Sequence, residues 1–87
     1  MKEITIHCNK IETLRQLHEV LARELNFPHW YGHNLDALHD CLTALREETK
    51  VTFLHFPALP FPSAGLLGVL QDSEAENPSL EISLLTN

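Results

Sequence analysis

The chain has few basic residues and no basic stripe. Its 87 residues include six Lys and Arg against twelve Asp and Glu, and no Lys or Arg lies between Arg23 and Arg46. A protein that binds phosphate backbones needs clustered basic residues to neutralise them. We therefore expect no direct contact with nucleic acid.

Long apolar runs and cysteine pairs are also missing. No segment approaches the roughly 20 apolar residues that a membrane span requires. Residues 1–6 carry an acidic residue and lack the apolar stretch of a signal peptide. Cys8 and Cys41 do not form a Cys-x-x-Cys pair, and without signs of secretion we expect reduced thiols. These features predict a single cytoplasmic domain over residues 1–87, with no membrane association.

The acidic residues are concentrated in the second part of the chain. Residues 1–33 hold four basic and four acidic residues, whereas residues 34–87 hold two basic and eight acidic ones, and the net charge is −6. An acidic surface favours a basic partner, because complementary potentials speed the encounter. The alternative is that the charge only maintains solubility, and charge alone does not decide between the two.

The hydrophobic pattern predicts the element order β-α-α-β-α-β. Strands are expected over residues 3–8, 51–56 and 80–85, because these segments alternate or are β-branched. Helices are expected over residues 14–26, 35–45 and 64–76, with Thr13, Asn34 and Ser63 as N-caps. Strands joined by helical crossovers favour a parallel sheet. The prediction is an α/β fold with a single layer of three parallel strands and helices packed on it.

The outward face of the second predicted helix is acidic. If its leucines face inward, four polar side chains share the opposite side: Asp36, His39, Asp40 and Thr43. Asp36 and Asp40 form a like-charge i,i+4 pair that costs on the order of 0.2–0.5 kcal/mol. The face is either an ordinary solvated surface or a contact surface.

The loop before this helix contains two adjacent aromatic residues, Trp30 and Tyr31, followed by Gly32. Tryptophan and tyrosine are favoured at the centres of protein interfaces. One of the two rings is expected to fold back onto the core. An acidic helix with an aromatic loop at its N-terminal end predicts a docking surface.

Motifs for catalysis and metal binding are absent from the sequence. It has no Gly-rich phosphate loop, no Gly-x-Ser-x-Gly and no His-Glu-x-x-His. His29, His33 and His39 are close in sequence, with Asp36 or Asp40 as a further ligand, so a histidine-dependent metal site stays open as a minor hypothesis. We expect a protein that is not an enzyme and has no cofactor and no metal.

Residues 25–43, Leu-Asn-Phe-Pro-His-Trp-Tyr-Gly-His-Asn-Leu-Asp-Ala-Leu-His-Asp-Cys-Leu-Thr, closely resemble the signature of the barstar family. That signature is an aromatic pair, a glycine and then Asn-Leu-Asp-Ala-Leu-x-Asp-x-Leu. Members are small intracellular inhibitors of barnase-type ribonucleases. The resemblance implies a barstar-like fold in which the second helix and the preceding loop plug the ribonuclease active site.

The resemblance also implies roles for individual residues. Asp40 matches the acid that imitates a substrate phosphate, Asp36 matches a second acidic contact, and Glu74 matches a peripheral acid on the last helix. The remaining positions expected in the partner-binding segment are Trp30, Tyr31, Gly32, Asn34, His39 and Thr43.

The function implied is that of an immunity- or antitoxin-type inhibitor of a basic bacterial ribonuclease or related toxin, monomeric without its partner. His39 stands where the best-known member has tryptophan, and Ala44-Leu45 replaces Gly-Trp. These departures keep open a barstar-fold adaptor that binds a basic protein other than a nuclease. Because a protonated His39 would repel a basic partner, binding is expected to weaken below about pH 6.

Overall fold

The computed structural model describes residues 1–86, so Asn87, the last residue of the predicted domain, lies outside it. Its strands are β1 (Lys2–His7), β2 (Thr49–Leu54) and β3 (Leu80–Leu84), and its helices are α1 (Leu14–Glu24), α2 (Leu35–Thr43) and α3 (Ala64–Glu76). Single 3-10 turns cover Cys8–Lys10 and Phe56–Ala58. The strands form one parallel sheet in the order β1-β2-β3. The predicted α/β class and three-stranded parallel sheet are confirmed.

The sheet buries one of its two faces. Alternate residues point to the same side of a strand, and the parallel register places Ile6 beside Phe53 and Phe53 beside Leu84. Ile6 and Phe53 are fully buried. On the other face, Thr5 is exposed and its neighbour Thr52 is only half-buried. The core therefore lies on one side of the sheet, where buried residues of the helices, such as Leu17, Leu38 and Leu70, join it.

The start of α1 follows its capping signal. Thr13 Oγ1 accepts a hydrogen bond from the Gln16 amide at 3.1 Å, and Gln16 Oε1 accepts one from the Glu12 amide at 2.6 Å. The predicted capping box is thus present, except that the Gln16 side chain bonds to the amide of Glu12 instead of the amide of the N-cap Thr13. The helix ends at Glu24, two residues before its predicted end, and Asn26 then adopts a left-handed φ of 55°.

The second strand differs from its prediction at both ends. It starts two residues earlier, because Thr49 pairs with both β1 and β3, and it stops at Leu54 instead of residue 56. His55 has a left-handed φ of 58°, which turns the chain out of the sheet and into the 3-10 turn that contains Pro57. The predicted cap of α3 is also corrected, since the Ser63 side chain makes no capping bond.

The C-terminal end of α2 is bonded to Asn77, the C-cap residue of α3. Its Nδ2 donates to the carbonyl oxygens of Leu42 and Leu45 at 2.9 and 3.0 Å. Carbonyls at the end of a helix have no partner within the helix, so this buried amide supplies one and joins the ends of the two helices. Within residues 1–86, no helix is long and apolar enough to cross a membrane.

Candidate protein-binding surface

The orientation of α2 is determined by its cap and its leucines. Asn34 Oδ1 accepts a hydrogen bond from the Ala37 amide at 2.7 Å, as the sequence predicts for an N-cap. Leu38 and Leu42 are fully buried. Residues two positions away lie on the opposite side of a helix, so the acidic residues Asp36 and Asp40 are exposed, with 85% of the Asp40 side chain accessible.

His39 connects α2 to α3. Its Nε2–H donates to the Glu76 carboxylate at 2.5 Å, and its Nδ1 lies 4.0 Å from an Asp40 oxygen. The hydrogen bond to Glu76 raises the pKa of His39 above its ordinary value of 6.5, and the charges of Glu76, Asp40 and Asp72 add to the effect. His39 is therefore an internal cation among carboxylates over a wider pH range than a free histidine.

Two acidic residues of α3 lie with Asp40 of α2 around His39. Asp72 and Glu76 are exposed, one helical turn apart, and both act on the His39 ring. We call the outward carboxylates of the two helices the acidic surface: Asp36, Asp40, Asp72 and Glu76. The α3 pair was not among the residues predicted from the sequence, although its i,i+4 spacing repeats that of the α2 pair.

Glu74 lies apart from this surface. Its Oε2 accepts a hydrogen bond from the Ile82 amide of β3 at 2.7 Å. Two residues correspond to about 200° around a helix, so Glu74 faces away from Asp72 and Glu76. The structure therefore does not bring Glu74 together with the other predicted binding residues, and its carboxylate satisfies an amide of the edge strand instead.

The two aromatic residues of the loop point in opposite directions. Trp30 is 72% exposed, whereas Tyr31 is 4% exposed. The Tyr31 hydroxyl is hydrogen-bonded to His18 Nδ1 at 2.6 Å, and its ring centroid lies 5.0 Å from that of Phe27. Tyr31 is thus the ring that folds back onto the core. Burial removes it from the surface where it was predicted to contact a partner.

The residues between Tyr31 and α2 form a tight turn. His33 has a left-handed φ of 52°, and its Nδ1–H donates to the Tyr31 carbonyl oxygen at 3.0 Å. A Cβ at Gly32 would lie 2.9 Å from Asn34 Nδ2 and displace the side chain that caps α2. Gly32 and Asn34 therefore shape the loop, and they connect the exposed Trp30 to the start of α2.

Thr43 is half-buried at the end of α2. Its hydroxyl donates to the carbonyl oxygens of His39 and Asp40 at 2.8 and 3.2 Å. The side chain thus bonds back to the last turn of the helix, and its oxygen keeps its capacity to accept hydrogen bonds.

Groups suited to metal binding or covalent chemistry are not assembled in the described part of the chain. Among residues 1–86, no three His, Cys, Asp or Glu side chains converge on a point where a metal ion would bind. Cys8 and Cys41 are free thiols. Burial raises the pKa of the Cys8 thiol to about 11, so its nucleophilic thiolate form is disfavoured.

Trp30 and Asp40 line the same groove beside α2, which therefore presents an exposed ring and an exposed carboxylate. Such a surface suits contact with a basic protein.

A family model described as Barstar (barnase inhibitor) matches residues 1–78. A protein of Bacillus subtilis (strain 168) named "Putative ribonuclease inhibitor YrdF" is 49% identical over 43 residues, which is 49% of this chain and 47% of that protein. The aligned segment thus spans about half the length of that relative. Since the family match covers most of the residues, the chain belongs to the barstar family.

Proposed function

We propose that this protein inhibits a barnase-type ribonuclease, or a related toxin, by covering its active site with the acidic surface and the Trp30 loop. The observation that carries the proposal is the set of four exposed carboxylates on α2 and α3. Within residues 1–86, none of them forms an ion pair with a lysine or an arginine. Glu76 shares its charge with His39, whereas the negative charge of Asp36, Asp40 and Asp72 supports contact with a basic partner.

Such a surface imitates the substrate of a ribonuclease. An enzyme that cleaves RNA binds phosphates with basic side chains in a concave site, and carboxylate oxygens satisfy the same donors. Opposite potentials on the two proteins also accelerate their association. Inhibition requires only occupation of the site, so the protein itself performs no catalysis and needs no cofactor.

The residues divide into contacts and supports. Asp40 takes the place of a substrate phosphate, Asp36 makes a second acidic contact, and Trp30 covers apolar surface at one side. Asp72 and Glu76, in place of Glu74, supply the peripheral acidic contact. The supporting residues are those that hold the loop and the helix: Tyr31, Gly32, Asn34 and Thr43. The protein acts in the cytoplasm as one domain, monomeric until its partner is bound.

The test is a titration of the protein into a panel of barnase-type ribonucleases, with residual RNA cleavage as the measurement. We expect stoichiometric loss of cleavage with at least one enzyme. Asp40→Ala should weaken that complex by about 2–5 kcal/mol, because it leaves the enzyme's buried basic groups unpaired. The matched control is Glu12→Ala, which removes the same charge before α1, where the side chain is exposed. Equal inhibition by the wild type and Asp40→Ala would refute the role of Asp40.

A further inference from the structure

The β3 edge of the sheet is partly covered by the chain itself. The Leu80 amide donates to the Asn77 carbonyl oxygen at 3.0 Å. The Ile82 amide donates to Glu74 Oε2 at 2.7 Å. Free backbone donors at a sheet edge are a template for a further strand. These two amides are therefore unavailable to one.

The β1 edge lacks such a cover. The Lys2 amide donates to the Glu48 carbonyl oxygen at 2.8 Å, so it faces β2. Alternate residues of a strand direct their backbone groups to the same side, so the amides of Glu3, Thr5 and His7 face outward. In the described part of the chain, none of these three amides donates to another segment. They are available to a strand from another molecule.

A groove of about 270 Å³ lies along this free edge, between β1 and α1. Residues 5–7 of β1 form one wall. Neighbouring side chains of a strand point to opposite faces, so what three consecutive residues share with the groove is their backbone. The other wall is one stripe of α1, at helical spacing: Gln16, Val20 and Arg23. The free amides therefore adjoin a space that a further strand would enter.

The charge of the groove differs from that of the acidic surface. Its charged lining includes Lys10, Arg23 and Glu24. Arg23 Nε lies 3.5 Å from Glu24 Oε2, so these two charges offset each other. Lys10 is exposed, and no ion pair within residues 1–86 includes it. The remaining positive charge of Lys10 complements an acidic side chain.

We propose that the free edge of β1 binds an extended peptide segment of a partner protein, and that this segment carries an aspartate or a glutamate. The segment adds a strand to the sheet through the amides of Thr5 and His7. One apolar side chain of the segment contacts Ile11 and Val20, which are buried and half-buried. The acidic side chain lies two residues along the segment, on the same side, and pairs with Lys10.

This peptide site is separate from the surface assigned to the ribonuclease. The groove along β1 includes no residue of the acidic surface, and it shares no residue with the groove that Trp30 and Asp40 line. The inference therefore goes beyond the proposed function, and it concerns a second partner.

The test uses the acetylated and amidated peptide Thr-Val-Thr-Asp-Thr as the probe on the full chain. Its valine and aspartate share one side when the peptide is extended. NMR follows the shifts and the hydrogen exchange of the Thr5 and His7 amides, with the inward Ile6 amide as the reference. We expect slower exchange at Thr5 on saturation and no change at Ile6. Unchanged exchange at Thr5 would overturn the proposal.

Two N-methylated probes distinguish strand addition from side-chain contact alone. Only alternate amides of an added strand face its neighbour, so methylating the second or the third amide of the probe must have unequal effects. We expect one methylation to weaken binding about tenfold or more and the other to change it by about twofold or less. Equal effects would contradict the addition of a strand.

Lys10→Gln tests the charge of the segment. The wild type should bind the aspartate probe about two- to fivefold more tightly than the same peptide with asparagine. Lys10→Gln should lose this preference. The matched control is Arg46→Gln, at an exposed residue outside the groove, and it should keep the preference. Equal binding of the two peptides by the wild type would refute the choice of an acidic segment.

A second copy of the chain is the alternative occupant of the edge. Sedimentation without the probe distinguishes the two, and we expect a monomer at the concentration of the NMR experiment. A dimer whose formation shifts the Thr5 and His7 amides would show that the edge pairs with itself, and it would overturn the peptide site.

Discussion

The two sides of the α1–α2 loop are built from adjacent residues but have opposite environments. Trp30 is exposed beside the acidic surface, whereas Tyr31 is buried among aromatic rings. We call this second region the ring cluster: His18, Phe27, Tyr31 and His33. The difference shows how a short loop exposes one aromatic ring while the neighbouring ring attaches the backbone to the core.

The energetics of the two regions differ accordingly. The acidic surface gathers like charges in water, so it contributes little to folding, and the proposed function assigns it to the partner. The ring cluster removes apolar area from water and contains a buried hydrogen bond, so it stabilises the fold. Substitutions in the first region should therefore affect binding, and substitutions in the second should affect stability.

The largest effect on folding is expected from Tyr31→Ala. Removing a buried aromatic ring costs about 3–5 kcal/mol of unfolding free energy, whereas Trp30→Ala at the exposed neighbour should change it by about 0.5 kcal/mol or less. Urea unfolding followed by circular dichroism measures both. Similar losses for the two variants would contradict the division of the loop into a contact and a support.

A smaller loss is expected from Tyr31→Phe, which keeps the ring and removes only the hydroxyl. His18 is 2% exposed, and its Nε2 has no hydrogen-bond partner within residues 1–86. Without the hydroxyl, both nitrogens of the buried imidazole lack partners, which should cost about 1–3 kcal/mol.

The double variant His18→Leu with Tyr31→Phe tests whether the hydrogen bond is responsible. Residues that share a buried bond are not additive, so the double variant should lose less stability than the two single variants combined. Simple additivity, measured by urea unfolding, would show that the two side chains act independently.

The histidines of the two regions should titrate in opposite directions from the ordinary value of 6.5. Burial lowers the pKa of His18, with a smaller contribution from the charge of nearby His33, whereas the hydrogen bond to Glu76 raises the pKa of His39. Ring-proton NMR shifts against pH measure both directly. The expected result is a midpoint below 6.5 for His18 and above 6.5 for His39, and the reverse order would contradict the geometry of both sites.

These shifts have opposite consequences for stability. The unfolded chain binds a proton at His18 more readily than the folded one. The contribution of His18 to the free energy of unfolding is therefore complete above pH 6.5 and is lost as the pH falls toward the lowered pKa of His18. The folded chain binds the proton of His39 more readily, so that contribution is present below pH 6.5 and is lost as the pH rises through its raised pKa. His39→Gln should remove the loss of stability at rising pH and leave the loss at falling pH that comes from His18.

The fold was predictable because its signals are local. The Thr13 capping box and the alternation of the strands each depend on a few neighbouring residues, and they located the elements in the correct order. The end of β2 was not predictable, because the left-handed conformation of His55 is not visible in its residue type. Boundaries depend on single backbone angles, whereas the element order depends on whole patterns.

The outward face of α2 was predictable from the sequence, whereas that of α3 was not. The spacing of Asp36 and Asp40 fixes their face once the leucines of their own helix are buried. The choice between Glu74 and its neighbours Asp72 and Glu76 depends on which side of α3 faces α2, and that is a tertiary property. The burial of Tyr31 instead of Trp30 depends in the same way on the distant His18.

The smallest expected effect concerns the pH dependence of binding. A protonated His39 neutralises part of the acidic surface and repels a basic partner, and the groups that face it are Asp40 on α2 and Asp72 and Glu76 on α3. Because these carboxylates raise the pKa of His39, binding should weaken as the pH falls through a value above 6.5, which is a higher pH than the sequence alone predicts.

The ribonuclease has titrating groups of its own, so the measurement is the difference in affinity between the wild type and His39→Gln from pH 5.5 to 8.5, about the range in which histidines titrate. Glutamine retains a donor for Glu76 but cannot be charged. A difference that does not change with pH would mean that His39 joins the two helices without modulating the charge that the partner meets.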